Sequence, residues 1–266
     1  RDHDYLMFLD IDEFWTPKDM QCCVQDVLNE LPEAPAYCFG WLNEHGHSSP
    51  FSGLQQVTQG QISPLVKTLF SVKTDVLEVA LHLPRFKDAE VVMADKLSFV
   101  PAADNRECMH PELVKLRDVM IIHRMFRSQV EYVSLLNRGR PSDDYPLKFN
   151  RGGYNKASGA HLAFEMDDSA YQQYDAARSA FLEDSQMSEL LRNARQFVDD
   201  RYRGTLQIAE SISPDLLPKT LSVLKGCAPD LLNALTEKIK QNASTWQLDA
   251  MQLKSLAKSL TSHSAE

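Results

Sequence analysis

A chain of 266 residues that is 43% hydrophobic and 24% charged holds enough apolar material for one large domain or two smaller ones. Its formal net charge of -9 argues against broad binding to nucleic acid or to an anionic membrane surface, both of which rest on clustered Lys and Arg. No apolar run approaches the roughly 20 residues that cross a bilayer, and Arg1 to Tyr5 lacks the pattern of a signal peptide.

Tyr5-Leu6-Met7-Phe8-Leu9 is a continuous apolar run ending in acids, the pattern of a strand buried on both faces whose carboxyl end is Asp10. Thr16-Pro17-Lys18-Asp19 then predicts a helix start, with Met20, Cys23, Val24, Val27, Leu28 and Leu31 at helical spacing behind it. Further strands are predicted at Ala36 to Trp41, Leu65 to Phe70, Val76 to Leu81 and Val119 to Ile122, joined by loops rich in Gly, Ser, Pro and Asn. Ser128-Gln129-Val130-Glu131 is a capping box, and its helix runs to about Asn137, with Gly139 as the left-handed stop. From about Asp167 the strand pattern gives way to helical repeats at 170 to 181, 187 to 198, 216 to 224, 231 to 239 and 248 to 260.

The alternation predicts an α/β fold, a mixed sheet flanked by helices over residues 1–160, followed by a helical region over 165–266. Five cysteines, Cys22, Cys23, Cys38, Cys108 and Cys227, are odd in number and lack C-x-x-C spacing. They read as reduced thiols in a cytoplasmic protein rather than as a disulfide framework or a zinc site. The chain starts at Arg1 and is strand-like almost at once, the reading of an excised piece.

Asp10-Ile11-Asp12-Glu13 follows an apolar strand, where open α/β sheets place their ligands. Two carboxylates one residue apart can share a hard cation with the oxygens of a diphosphate. A solvated acidic turn ahead of a helix is the plain alternative for a bare D-x-D. The flanking residues add weight. Phe8-Leu9-Asp10-Ile11-Asp12-Glu13-Phe14 resembles the FLDIDEF signature of bacterial glycosyltransferases related to family two. His123, then Phe126-Arg127-Ser128, Glu131 and Arg138-Gly139 are similar to that family's H-Y-x-x-[RK]-S-x-x-x-[FY] segment and its closing R-G, with Arg124 in place of the tyrosine. Asn150-Arg151-Gly152-Gly153-Tyr154 resembles its N-R-x-G-Y ending, and Cys38-Phe39-Gly40 with Gly46-His47 its F-G-x-x-G-H loop, each with altered spacing.

The resemblance spans about residues 4–156. It implies the carboxyl-terminal half of a GT-A fold, a nucleotide-sugar donor, a glycan or other hydroxyl acceptor, inversion, and Mn2+ or Mg2+ on Asp10 and Asp12. The units that hold the base and ribose in that fold precede D-x-D, so the resemblance implies that this sequence carries only the later half. A bacterial enzyme of cell-surface glycan synthesis is the expectation.

Other groups keep two readings open. His123, after an apolar strand, suits either a third metal ligand or a histidine that orders the sheet edge; His82 is read as structural. Glu44 is the first candidate for the general base because it follows a predicted strand, with His47, Asp143 and Asp144 as competitors. Glu44, His45 or His47 is expected within roughly 10 Å of Asp12, the scale of a small-ligand pocket. Arg127, Arg138, Arg140, Lys148 and Arg151 form a basic cluster suited to a diphosphate or to ion pairs with Asp143 and Asp144, and Arg127 and Arg138 are the chosen diphosphate contacts. Two other functions stand beside the transferase. One is a magnesium phosphatase of the haloacid dehalogenase type, against which Phe14 counts; the other is a non-catalytic module docking through its helical region.

Overall fold

A computed structural model describes residues 4–47, 49–139, 142, 144–155 and 161–243. The chain is mixed α/β. Nine strands are present among these residues: β1 Tyr5–Met7, β2 Glu13–Pro17, β3 Ala36–Glu44, β4 Val57–Ser71, β5 Val76–Glu78, β6 Arg85–Phe86, β7 Val91–Met93, β8 Val119–His123 and β9 His161–Glu165. The helices are α1 Val24–Glu30, α2 Gln129–Leu136, α3 Asp168–Glu183, α4 Ser185–Glu210, α5 Leu217–Leu224 and α6 Pro229–Ala243. None of the described helices is long and apolar enough to cross a membrane. The predicted helix at 248 to 260 lies outside the described residues, as do Arg140 and Asp143.

Seven strands form one sheet, with β1, β4, β3, β8 and β2 in spatial order, β7 beside β3 and β9 beside β4. Strand β3 is the spine, antiparallel to β4 and parallel to both β7 and β8. Its continuous apolar run is explained by burial on both faces, since a strand in the middle of a covered sheet has no polar side to show. Tyr37, Phe39, Trp41, Val119 and Ile121 face one apolar cluster, completed by Leu31 and Ala34 at the end of α1. Cys38, Leu42, Ile62, Val66, Met120 and Ile122 face another, as strand alternation requires.

Two local expectations are corrected. The run Tyr5 to Leu9 is not a doubly buried strand: β1 stops at Met7, and Phe8 and Leu9 are exposed. Its residues pair with Leu69–Ser71 of β4. Pro17 does not open a helix but closes β2, opposite Val119 in the antiparallel ladder with β8. The ladder outcompetes the local helix signal, and a proline at a strand end loses little. Helix α1 starts instead after Cys23, where Asp26 accepts the Cys23 amide at 2.8 Å.

The chain divides into two compact units built of interleaved segments: 1–45, 53–125 and 157–180 in the first, 46–52, 126–156 and 181–266 in the second. The first holds all nine strands and α1. The second holds α2, α4, α5 and α6. Its α2 has the predicted capping box, with the Glu131 carboxylate accepting from the Ser128 amide and hydroxyl and the Ser128 hydroxyl accepting from the Glu131 amide. Asn137 is the C-cap and Gly139 takes a positive φ of 65°, a conformation open to glycine without a Cβ penalty. The Tyr132 hydroxyl donates to the Val223 carbonyl and the Thr205 hydroxyl to that of Val133, tying α2 into the helices of the same unit.

Candidate functional site

Parallel β3 and β8 end side by side at Glu44 and His123, with Asn43 in register with His123. Because β2 runs antiparallel to β8, its first residue, Glu13, also sits opposite His123. The Asp10-Ile11-Asp12-Glu13 turn therefore stands at the carboxyl ends of two parallel strands.

The turn is closed twice. The Glu13 amide donates to the Asp10 carbonyl at 3.0 Å, and the Glu13 carboxylate accepts the Asp10 amide at 3.0 Å. Ile11 projects outward, 96% exposed, so it contributes nothing to the core. The Asp12 carbonyl accepts from the Arg124 amide at 2.8 Å, which fastens the turn to the chain just beyond β8. Asp12 Oδ2 lies 3.9 Å from His123 Nε2, with the two side chains 16% and 10% exposed. His123 Nδ1 is 3.0 Å from Asn43 Oδ1, and its ring is stacked on Trp41 at 4.4 Å between centroids and 6° between planes.

Asp10 turns to a different partner. Its Oδ2 is 3.9 Å from the Lys67 ammonium, which lies 2.9 Å from Glu13 Oε2 and 5.8 Å from the Trp41 ring. Lys67 and Glu13 side chains are fully enclosed. Burial pushes the Glu13 carboxyl above the usual carboxylate range, against the pull of the Asp10 amide and the Lys67 ammonium. Among the described residues, Glu13 Oε1 and Trp41 Nε1 are buried without a hydrogen-bond partner. His82, outside β5, has Nδ1 3.2 Å from the Val66 carbonyl and a ring 5.1 Å from that of Trp41; burial first, then Lys67, lowers its pKa.

Glu44 follows Asn43 on β3 and so points to the other face of the sheet. It is completely buried, and its Oε2 accepts from Arg124 Nε at 2.8 Å. An acceptor hydroxyl has no route to a carboxylate enclosed in this way. Glu44 instead holds Arg124, whose amide supports Asp12.

His47, Arg127, Arg138 and Asp144 belong to the second unit. The His47 amide donates to the Arg127 carbonyl, and His47 forms a single bridge with Ser128. Arg127 has a φ of 54° just before the Ser128 cap. Arg138 is exposed, its amide donating to the Leu135 carbonyl at the end of α2, and Asp144 is exposed.

Among the described residues no group of three or more His, Cys, Asp or Glu side chains is gathered for a metal. A two-donor set is nonetheless present. Ligand atoms at about 2.0–2.2 Å from one ion stand roughly 3 Å apart when adjacent and about 4 Å when opposite. The 3.9 Å between Asp12 and His123 lies between these two spacings, so sharing one ion as adjacent ligands would need their side chains to close by about 1 Å. Such a pair suits a cation that takes its other ligands from phosphate oxygens and water, as Mg2+ commonly does.

Sequence reasoning missed Asn43, Trp41 and Lys67. The one visible signal was Lys67 itself, a lysine inside the apolar run Leu65 to Phe70. Comparison with protein-family models, with curated proteins and with solved structures gave no match.

Proposed function

We propose that the first unit carries the metal-binding part of a glycosyltransferase of GT-A type, using a nucleotide-sugar donor and a hydroxyl acceptor. The observation that carries this reading is Asp12 facing His123 across 3.9 Å at the carboxyl ends of β3 and β8. Asp12 and His123 would hold Mn2+ or Mg2+, and Asp10, engaged with Lys67, would act from farther out. A cation there offsets the charge that develops on a departing diphosphate. The chain's own contribution is position: Glu13 locks the turn, Arg124 anchors its carbonyl, and Trp41 and Asn43 orient His123. Glu44 takes no part in proton transfer in this scheme.

The test is Mn2+ binding followed by electron paramagnetic resonance, with and without uridine or guanosine diphosphate. Stoichiometric uptake that strengthens with the nucleotide supports the reading, and Asp12→Asn should weaken it by at least about tenfold while leaving the unfolding midpoint near that of wild type. No uptake by wild type, or unchanged uptake by the variant, sinks it. Hydrolysis of a phosphate ester by the same sample would favour the phosphatase.

A further inference from the structure

We infer that Asn43 is a positioning residue that sets the tautomer of His123, an assignment that rests on the metal-ligand reading of that histidine. A neutral imidazole carries one proton, and the nitrogen that has it is decided by the hydrogen bond at the other. Asn43 Oδ1 lies 3.0 Å from His123 Nδ1, and a side-chain carbonyl oxygen accepts only, so Nδ1 bears the proton. The Nε2 lone pair is then left on the side of Asp12.

Asn43 and His123 are register partners on adjacent parallel strands, so the contact is set by the sheet rather than by a loop. Trp41, two residues earlier on the same face, stacks on the imidazole and removes its remaining freedom to tilt. Together they fix both the plane of the ring and its proton. An oriented outer partner of this kind commonly changes metal affinity by about 10- to 100-fold.

The experiment is a long-range proton–nitrogen correlation spectrum of the full chain labelled with 15N-histidine, at a pH where His123 is neutral. Wild type should show His123 protonated at Nδ1 and bare at Nε2. Asn43→Ala should shift it toward the Nε2–H form and weaken Mn2+ uptake by about 10- to 100-fold. Asn43→Asp, which keeps an acceptor of the same shape, should retain the Nδ1–H form. A wild-type ring protonated at Nε2 overturns the inference without any variant, and so does an Asn43→Ala spectrum identical to wild type. Wild-type protein with the Nδ1–H tautomer but no Mn2+ uptake overturns the metal reading and leaves the role of Asn43 in setting the ring standing.

Discussion

Replacing Lys67 with Met leaves the Glu13 carboxylate buried without its cation. The two side chains are fully enclosed and 2.9 Å apart, so neither water nor a distant charge can substitute. Removing one member of such a pair costs about 3–5 kcal/mol, most of it the penalty of the stranded charge. The double variant Lys67→Met with Glu13→Gln carries no charge there, and Gln keeps an oxygen for the Asp10 amide, so it should recover most of the loss. Urea unfolding at pH 7.5, followed by tryptophan fluorescence, measures both.

The pH dependence has a definite sign. Burial already raises Glu13 in the folded protein, and Lys67 opposes that rise. Without Lys67 the folded value climbs further above the unfolded one. The fold then favours the protonated acid, so this contribution to stability is present at low pH and is lost as pH rises through the folded value. The deficit of the single variant should therefore shrink on acidification. A single variant within about 1 kcal/mol of wild type at pH 7.5, or a double variant no more stable than the single, would refute the reasoning.

Gly60 lies opposite Glu44 on β4, and a Cβ there would stand 2.9 Å from the Asn43 carbonyl carbon and closer still to its oxygen. Gly60→Ala should cost about 1–3 kcal/mol in thermal unfolding, because the obstacle is backbone and cannot rotate away. The same shift displaces Asn43, so Mn2+ uptake should fall with it. Among the thiols, Cys22 is held up to about 11 by its hydrogen bond to Asp19, while burial raises Cys38 and Cys227 to about 12. Alkylation at pH 8 read by peptide mass mapping should therefore be slow at Cys22 and absent at Cys38 and Cys227, and Asp19→Asn should speed modification of Cys22 alone.

Local signals in the chain were sufficient for much of the architecture. Apolar runs located β3, the second half of β4, and β8, and the Ser128–Glu131 capping box located α2, since these cues act between near neighbours. The acids Asp10 and Asp12 were also legible, as was His123 at a strand end. The partners of those residues were not. Pro17 was assigned to a helix because Thr16-Pro17-Lys18-Asp19 has every local mark of one, and only pairing with Val119 makes it a strand end. Glu44 was given the base's role from its position in the chain, whereas alternation along β3 sends it to the opposite face, onto Arg124. Asn43, Trp41 and Lys67 join the site through the registers of β3 with β8 and β4. A register links residues far apart in sequence, and a slip of one residue would exchange the two faces of a strand. Sequence alone thus determined where the acids and the histidine stand relative to the strand ends, and the sheet decided which side chains meet them.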